Sequence, residues 1–210
     1  MNAIRTNKNC LTTTLTLLIA SLSFVLSGCT YQLTFDPVQY PLQHKHDINT
    51  QLVQTDALCN AQYHHPDGET IQFGGSICKN TEGVAAAVFR SVSIDRISDE
   101  KNHAHVAKTD TILIPRVKTI DRNEPMWASS EQTTTIVMEW ILKDAKDGKE
   151  IWLATFTGNG KGPKAPGMSR EEGARRQIAA ALDDLFGKTF RAMSSSVEIR
   201  EFARQKANEK

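Results

Sequence analysis

The chain predicts an α+β fold, an antiparallel sheet of three to five strands with two helices packed on one face. Three observations carry this. Ile136, Met138, Trp140 and Leu142 alternate onto one face, as a half-buried strand requires. Asp147-Gly148, a strong hairpin signal, follows and leads into a second strand-like run. Ile178, Leu182, Leu185, Phe186, Phe190 and Met193 then fall on one stripe of a long helix.

The elements follow in order. Tyr31 to Thr50 reads as a tether, with Pro37, Pro41 and no sustained period, although Leu33 to Phe35 has the character of a short edge strand. Asp56 to Ser76 reads as a hairpin around Pro66-Asp67-Gly68, where proline presets φ and glycine accepts a positive one. Val84, Val88 and Val92 are spaced four apart and predict a helix over Glu82 to Val92. Thr109 to Ile120 is rich in Ile, Val and Thr, and Pro115 within it argues for an edge position or a bulge. Thr133 to Lys143 and Lys149 to Thr157 form the central hairpin, whose register the sequence leaves open between Trp140 facing Phe156 and Trp140 facing Thr155. The glycine- and lysine-rich stretch Gly158 to Gly167 reads as a loop. Ser169 with Glu172 three residues on makes a capping box for the last long helix. Ser194 to Ser196 interrupts that helix, and Val197 to Gln205 resumes as a second helix or a late strand.

The first thirty residues have a separate logic. Arg5 and Lys8 precede an uncharged run, Leu11 to Leu26, which is the n-region and h-region of a secretory signal. At about 16 residues the run falls short of the roughly 20 of a spanning helix. It ends in Leu26-Ser27-Gly28-Cys29, a leucine, two small residues and a cysteine. This resembles the lipobox of bacterial lipoprotein precursors. The resemblance implies cleavage after Gly28, a diacylglyceryl group on the Cys29 thiol and a further acyl chain on its amine. Several buried chains, at about 0.8 kcal/mol per CH₂, make such an anchor stable. Thr30 stands where an Asp would signal inner-membrane retention, and so resembles the outer-membrane-sorted class. The expected organisation is a signal peptide over 1–28, a lipidated N-terminus and tether over 29–50, and one α+β domain over 51–210.

Removing 28 of the 210 residues leaves 182, enough for one domain with a real core. Those 28 hold two of the 25 basic residues and none of the 24 acids, so the remainder carries 23 against 24. Nucleic-acid binders show a concentrated basic surface, which this balance argues against. Cys10 leaves with the signal and Cys29 takes lipid, so Cys59 and Cys78 remain. An even pair in an oxidising compartment reads as a disulfide. Such a bridge would contribute on the order of 3 kcal/mol in the chain-entropy model. Buried free thiols, or metal ligands beside a histidine, are the other readings.

Candidate chemistry is sparse. His44 and His46, and His103 and His105, are spaced to share a strand face, and His64 adjoins His65. A tight metal site needs three or four ligands, and only pairs are visible. Gly158-Asn159-Gly160-Lys161-Gly162 lacks the spacing and the hydroxyl of a phosphate loop, although Lys161 and Lys164 suit an anionic surface. Gly-x-Ser-x-Gly does not occur. Glu171 and Glu172 complement a helix dipole. Met126 and Trp127, at a polar loop tip, are the partner-binding candidates, since interfaces favour both residue types. The alternative is that Trp127 folds back as a minor core.

The order of lipobox, tether, helix, Trp-containing hairpin (EWILKDAKDGKEIWLATFTGNGKG) and amphipathic helix resembles small periplasm-facing lipoproteins of Gram-negative bacteria. Among these are lipopolysaccharide-assembly, penicillin-binding-protein activator and curli-secretion lipoproteins. The likeness spans Gly83 to Met193 and carries over no functional residue besides Cys29. It implies a non-enzymatic adaptor or assembly factor on the periplasmic face of the outer membrane, with an envelope protein as partner and no cofactor. The other expectation is a ligand-binding lipoprotein that takes metal through His103 and His105, or cell-wall glycan through Trp127.

Overall fold

A computed structural model of the chain describes residues 30–41, 43–99, 109–123, 131–163 and 167–209. In order these form β1 (Thr30–Gln32), β2 (His46–Thr55), α1 (Asp56–Cys59), β3 (Gln62–His64), β4 (Thr70–Gln72), α2 (Gly74–Val88) and β5 (Phe89–Ile97). There follow β6 (Thr111–Asn123), β7 (Glu131–Asp144), β8 (Glu150–Pro163), α3 (Arg170–Ser195) and α4 (Val197–Asn208). Five strands make the main sheet in the order β5-β2-β6-β7-β8, and β1-β4-β3 make a small one.

The fold is α+β as expected, but both sheets are mixed. β2 runs parallel to both of its neighbours, β5 and β6, and β1 runs parallel to β4. The cause lies in two strands the sequence did not reveal. The chain passes from β2 through α2 and straight into β5 at Phe89, and a strand–helix–strand crossover delivers a parallel partner. Residues expected to form a tether therefore belong to the folded domain: His46–Thr55 is a central strand, with Ile48 and Leu52 fully buried.

The helix expected over Glu82 to Val92 instead spans Gly74–Val88. Gly74, Gly75 and Ser76 hide its start. Gly74 is required there because a Cβ would stand 2.2 Å from Ala61 N and 2.5 Å from Cys59 O. The expected hairpin is present in shortened form, β3 pairing antiparallel with β4.

The central hairpin takes neither expected register: Trp140 faces Ala154, and Met138 faces Phe156, with a shift between Leu142 and Lys143 beside the turn. Pro115 lies beyond the three positions at which β2 pairs with β6, and the β6–β7 register slips between Val117 and Thr119. That bulge reverses the parity of the strand. Leu113 is buried in the main core before it, and Ile120 and Arg122 pair with the inward-facing Ile136 and Thr134 after it.

Three helices, where two were expected, share one core: α2, α3 and α4 pack with Leu52, Leu113, Ile136, Met138, Trp140 and Leu142. Trp140 meets Phe186 of α3 edge to face at 6.2 Å. Val53, Ile112, Ile114, Ile141 and Ala145 form a second, smaller cluster on the opposite face of the sheet.

Gly158 to Gly167 was expected to be a loop, yet β8 continues to Pro163. Glycine is demanded there by close approach. A Cβ on Gly158 would lie 2.2 Å from Ala181 O, and one on Gly160 would lie 1.8 Å from Gln177 O, so α3 rests directly on the strand backbone. Ser169 caps α3 as predicted, its hydroxyl accepting from Glu172 N at 3.1 Å. Ser196 caps α4, which settles that segment as a helix.

Gly160→Ala is expected to lower stability by about 1–3 kcal/mol, the usual range for overpacking. Gly162→Ala, whose Cβ would meet nothing closer than 3.8 Å, should be near neutral. Equal denaturation midpoints for the two variants would refute the close-approach account.

Candidate functional site

The described functional features gather at one end of the molecule, where the small sheet meets the start of α3. Thr55 opens α1 by accepting from Leu58 N at 3.2 Å, and α1 ends at Cys59. Cys59 is bridged to Cys78 in α2, with the Cα atoms 5.3 Å apart. The structure thus realises the disulfide reading of this pair. Gln54 reinforces the join from β2, its amide donating to Cys78 O at 2.9 Å and Thr81 Oγ1 at 3.0 Å.

Beside the bridge lies an open cleft of about 410 Å³, lined among others by Leu33, Cys59, Asn60, Phe73, Gly74 and Lys79. Its polar lining is backbone, side-chain amides, the hydroxyls of Thr34 and Ser76, and the Lys79 ammonium.

The turn joining β3 to β4 carries an ion cluster. Arg170, the first residue of α3, bonds Asp67 at 2.5 Å and Glu69 at 3.1 Å. Tyr31 of β1 donates to Glu69 at 3.3 Å. His65 Nδ1 lies 2.6 Å from Asp67 Oδ1. The Arg170 guanidinium holds the Asp67 carboxyl down at about 2, and Asp67 in turn raises Arg170. The cluster binds β1, the turn and α3 together. Sequence reasoning missed it, although one signal was present. A cation in the first turn of a helix opposes the dipole, which favours an acidic partner for Arg170 elsewhere.

A second missed group is buried deeper at the same end. Arg122, 5% exposed, donates to Thr134 Oγ1 at 3.3 Å and Gln177 Oε1 at 3.4 Å, with its guanidinium carbon 5.5 Å from the Tyr63 ring centre. Gln177 also donates to Gln132 at 2.7 Å. The sequence signal was Gln177 itself, a polar residue inside the apolar stripe of α3.

The histidines do not converge. His46 is buried, and its Nε2–H donates to Met193 O at 3.1 Å. His44 is exposed beside it at the far end of α3, in a basic cleft with Lys45, Arg200 and Arg204. His64 contacts Gln62 and Thr70. Among the described residues no three His, Cys, Asp or Glu side chains stand together as a metal site. Cys29, His103, His105, Met126, Trp127 and Lys164 lie outside the described residues. Lys161 is exposed on β8.

No family model matches the chain, and no curated protein matches it. Solved structures with a similar course exist. One is a Xanthomonas campestris protein of the DUF330 family, with 12% identity and a TM-score of 0.48 over 87% of this chain and 100% of that one. A second is a Helicobacter pylori homolog of a neuraminyllactose-binding hemagglutinin, with 9% identity and a TM-score of 0.47 over 82% and 97%. A third is a minor lipoprotein from Acinetobacter baumannii, with 15% identity and a TM-score of 0.43 over 74% and 94%. Values of this size assign the chain to no family.

Burial pushes the His46 imidazole below the ordinary histidine value of 6.5. The unfolded chain therefore takes up this proton first as pH falls, so the contribution of His46 is full above about 6.5 and is lost below it. Stability between pH 7 and pH 5 is expected to fall more steeply for the wild type than for His46→Gln in urea titrations. Parallel slopes would contradict the burial argument.

Proposed function

We propose that the chain is a lipid-anchored lipoprotein of the bacterial envelope, held by Cys29 to the periplasmic face of the outer membrane. There its domain acts as a non-enzymatic adaptor or assembly factor for another envelope protein. The observation that carries the reading is Leu26-Ser27-Gly28-Cys29 at the end of an uncharged signal-like run, with Thr30 after it. None of the described helices is long and apolar enough to cross a membrane.

Two features support the adaptor role. The cleft beside Cys59–Cys78 presents amide donors and acceptors of the kind a peptide segment satisfies. The sheet face turned away from the helices carries the apolar row Ile114, Ile141 and Leu153, with Leu153 half exposed. Met126 and Trp127 remain the proposed partner contact. The strand ends that flank them in sequence, Asn123 and Glu131, sit at the same end of the main sheet as the small sheet, since Tyr63 reaches Arg122 O there.

The test is a crosslinked pull-down of full-length lipidated protein beside Cys29→Ser, read by mass spectrometry. One envelope protein enriched with the wild type, lost with Cys29→Ser and weakened by Trp127→Ala at unchanged stability is the expected result. An empty pull-down from correctly localised protein would overturn the partnership.

A further inference from the structure

The residue after Cys29 is already part of the fold. Thr30, Tyr31 and Gln32 pair in register with Thr70, Ile71 and Gln72. Leu33 N then donates to Gln72 O at 2.8 Å, and the Leu33 side chain is buried. Further on, Phe35 N is held by Ser76 Oγ at 2.9 Å and Val38 N by Asn80 Oδ1 at 2.8 Å, and the Tyr40 ring lies 4.8 Å from that of Phe190. The segment expected to give reach is therefore laid along α2 and α3. One peptide bond, about 3.8 Å between Cα atoms, separates Cys29 from the first paired strand residue.

Strand directions say what else lies at that end. β1 is parallel to β4 and β4 antiparallel to β3, so Thr30, the start of β4 at Thr70 and the end of β3 at His64 share one edge of the small sheet. The turn over His65 to Glu69 projects from this edge, and Arg170 ties it to the start of α3. Two strand spacings are about 10 Å. The turn thus lies within about 15 Å of Cys29 by that spacing and one residue of chain. A headgroup layer is about 5–8 Å deep on each side of the hydrocarbon core.

We infer that this end of the domain, the His65–Glu69 turn with Arg170, lies directly against the phospholipid headgroups, and that the missing spacer fixes how the protein stands on the bilayer. The inference rests on lipid at Cys29. It needs no basic patch: Arg170 is matched by Asp67 and Glu69, and the anchor alone imposes the contact. The β7–β8 turn, with Lys146, stands at the other end of strands about 40 Å long by their residue count.

The experiment uses full-length lipidated protein in vesicles of phosphatidylethanolamine and phosphatidylglycerol that carry a headgroup nitroxide quencher. A thiol-reactive fluorophore is placed at the exposed Pro66→Cys or, in a separate protein, at the exposed Lys146→Cys. Flotation is read first. Wild type that does not float, or Cys29→Ser that floats equally, would remove the lipid reading itself. In protein that floats, quenching is expected to be several-fold stronger at position 66 than at position 146. Equal quenching at the two positions would overturn the apposition while leaving the anchor intact. A Gly/Ser insert of about 20 residues between Cys29 and Thr30, with a reach of about 25 Å, should keep flotation and bring position 66 down to the level of position 146. Undiminished quenching with the insert would overturn the claim that the missing spacer sets the orientation.

Discussion

The seating of α3 on the bare backbone of β8 is the contact on which most of the molecule depends. The helix brings Ile178, Leu182, Leu185, Phe186, Phe190 and Met193 into one buried stripe. Each such side chain contributes about 1.5–3 kcal/mol when fully withdrawn from water. The stripe reaches Trp140, Met138 and Ile136 because Gly158 and Gly160 leave nothing between helix and strand. The rest of the chain then hangs on this helix at successive heights: Gln177 on Arg122 and Gln132, Phe190 on Tyr40, and the Met193 carbonyl on His46.

A second constraint closes the other side of the sheet. β2 and β5 become parallel neighbours only because α2 returns the chain across the sheet, and α2 is pinned at its start. Cys59–Cys78, the contact of Gly74 with the end of α1, and the Gln54 amide on Cys78 O act on the same few residues. A long crossover between parallel strands carries a larger loop-closure entropy than a hairpin does. A covalent link within it reduces the freedom of the unfolded chain where that entropy is largest.

The N-terminal stretch shows how a local reading and a tertiary one diverge. Pro37, Pro41 and scattered aromatics look like spacer because no period runs through them. In the fold each element of that pattern has a use: Leu33 fills the core, Phe35 and Val38 give their amides to α2, and Tyr40 stacks on α3. A segment can be irregular and still fully held. If lipid sits on Cys29, this is the difference between a domain that wanders over the membrane and one that stands on it in a fixed attitude.

The sequence by itself determined the elements whose signals are local. The alternating strand β7, the Asp147-Gly148 turn, the Ser169 cap and the stripe of α3 depend on a residue and its near neighbours, and all were legible. So was the candidacy of Cys59 and Cys78 as a pair. What only the tertiary structure decided depends on contacts distant in sequence. The parallel placement of β2 and β5 follows from where α2 lands. The parity reversal at Lys118 follows from a bulge that no local pattern announces. The extension of β8 through Gly158 and Gly160 runs against strand propensity, because glycine there answers to the backbone of α3 and not to the strand. The ion cluster of Arg170, Asp67 and Glu69 joins residues about a hundred positions apart. Propensity reports what a segment prefers alone, and in each of these cases the packing of another segment supplied the larger free energy.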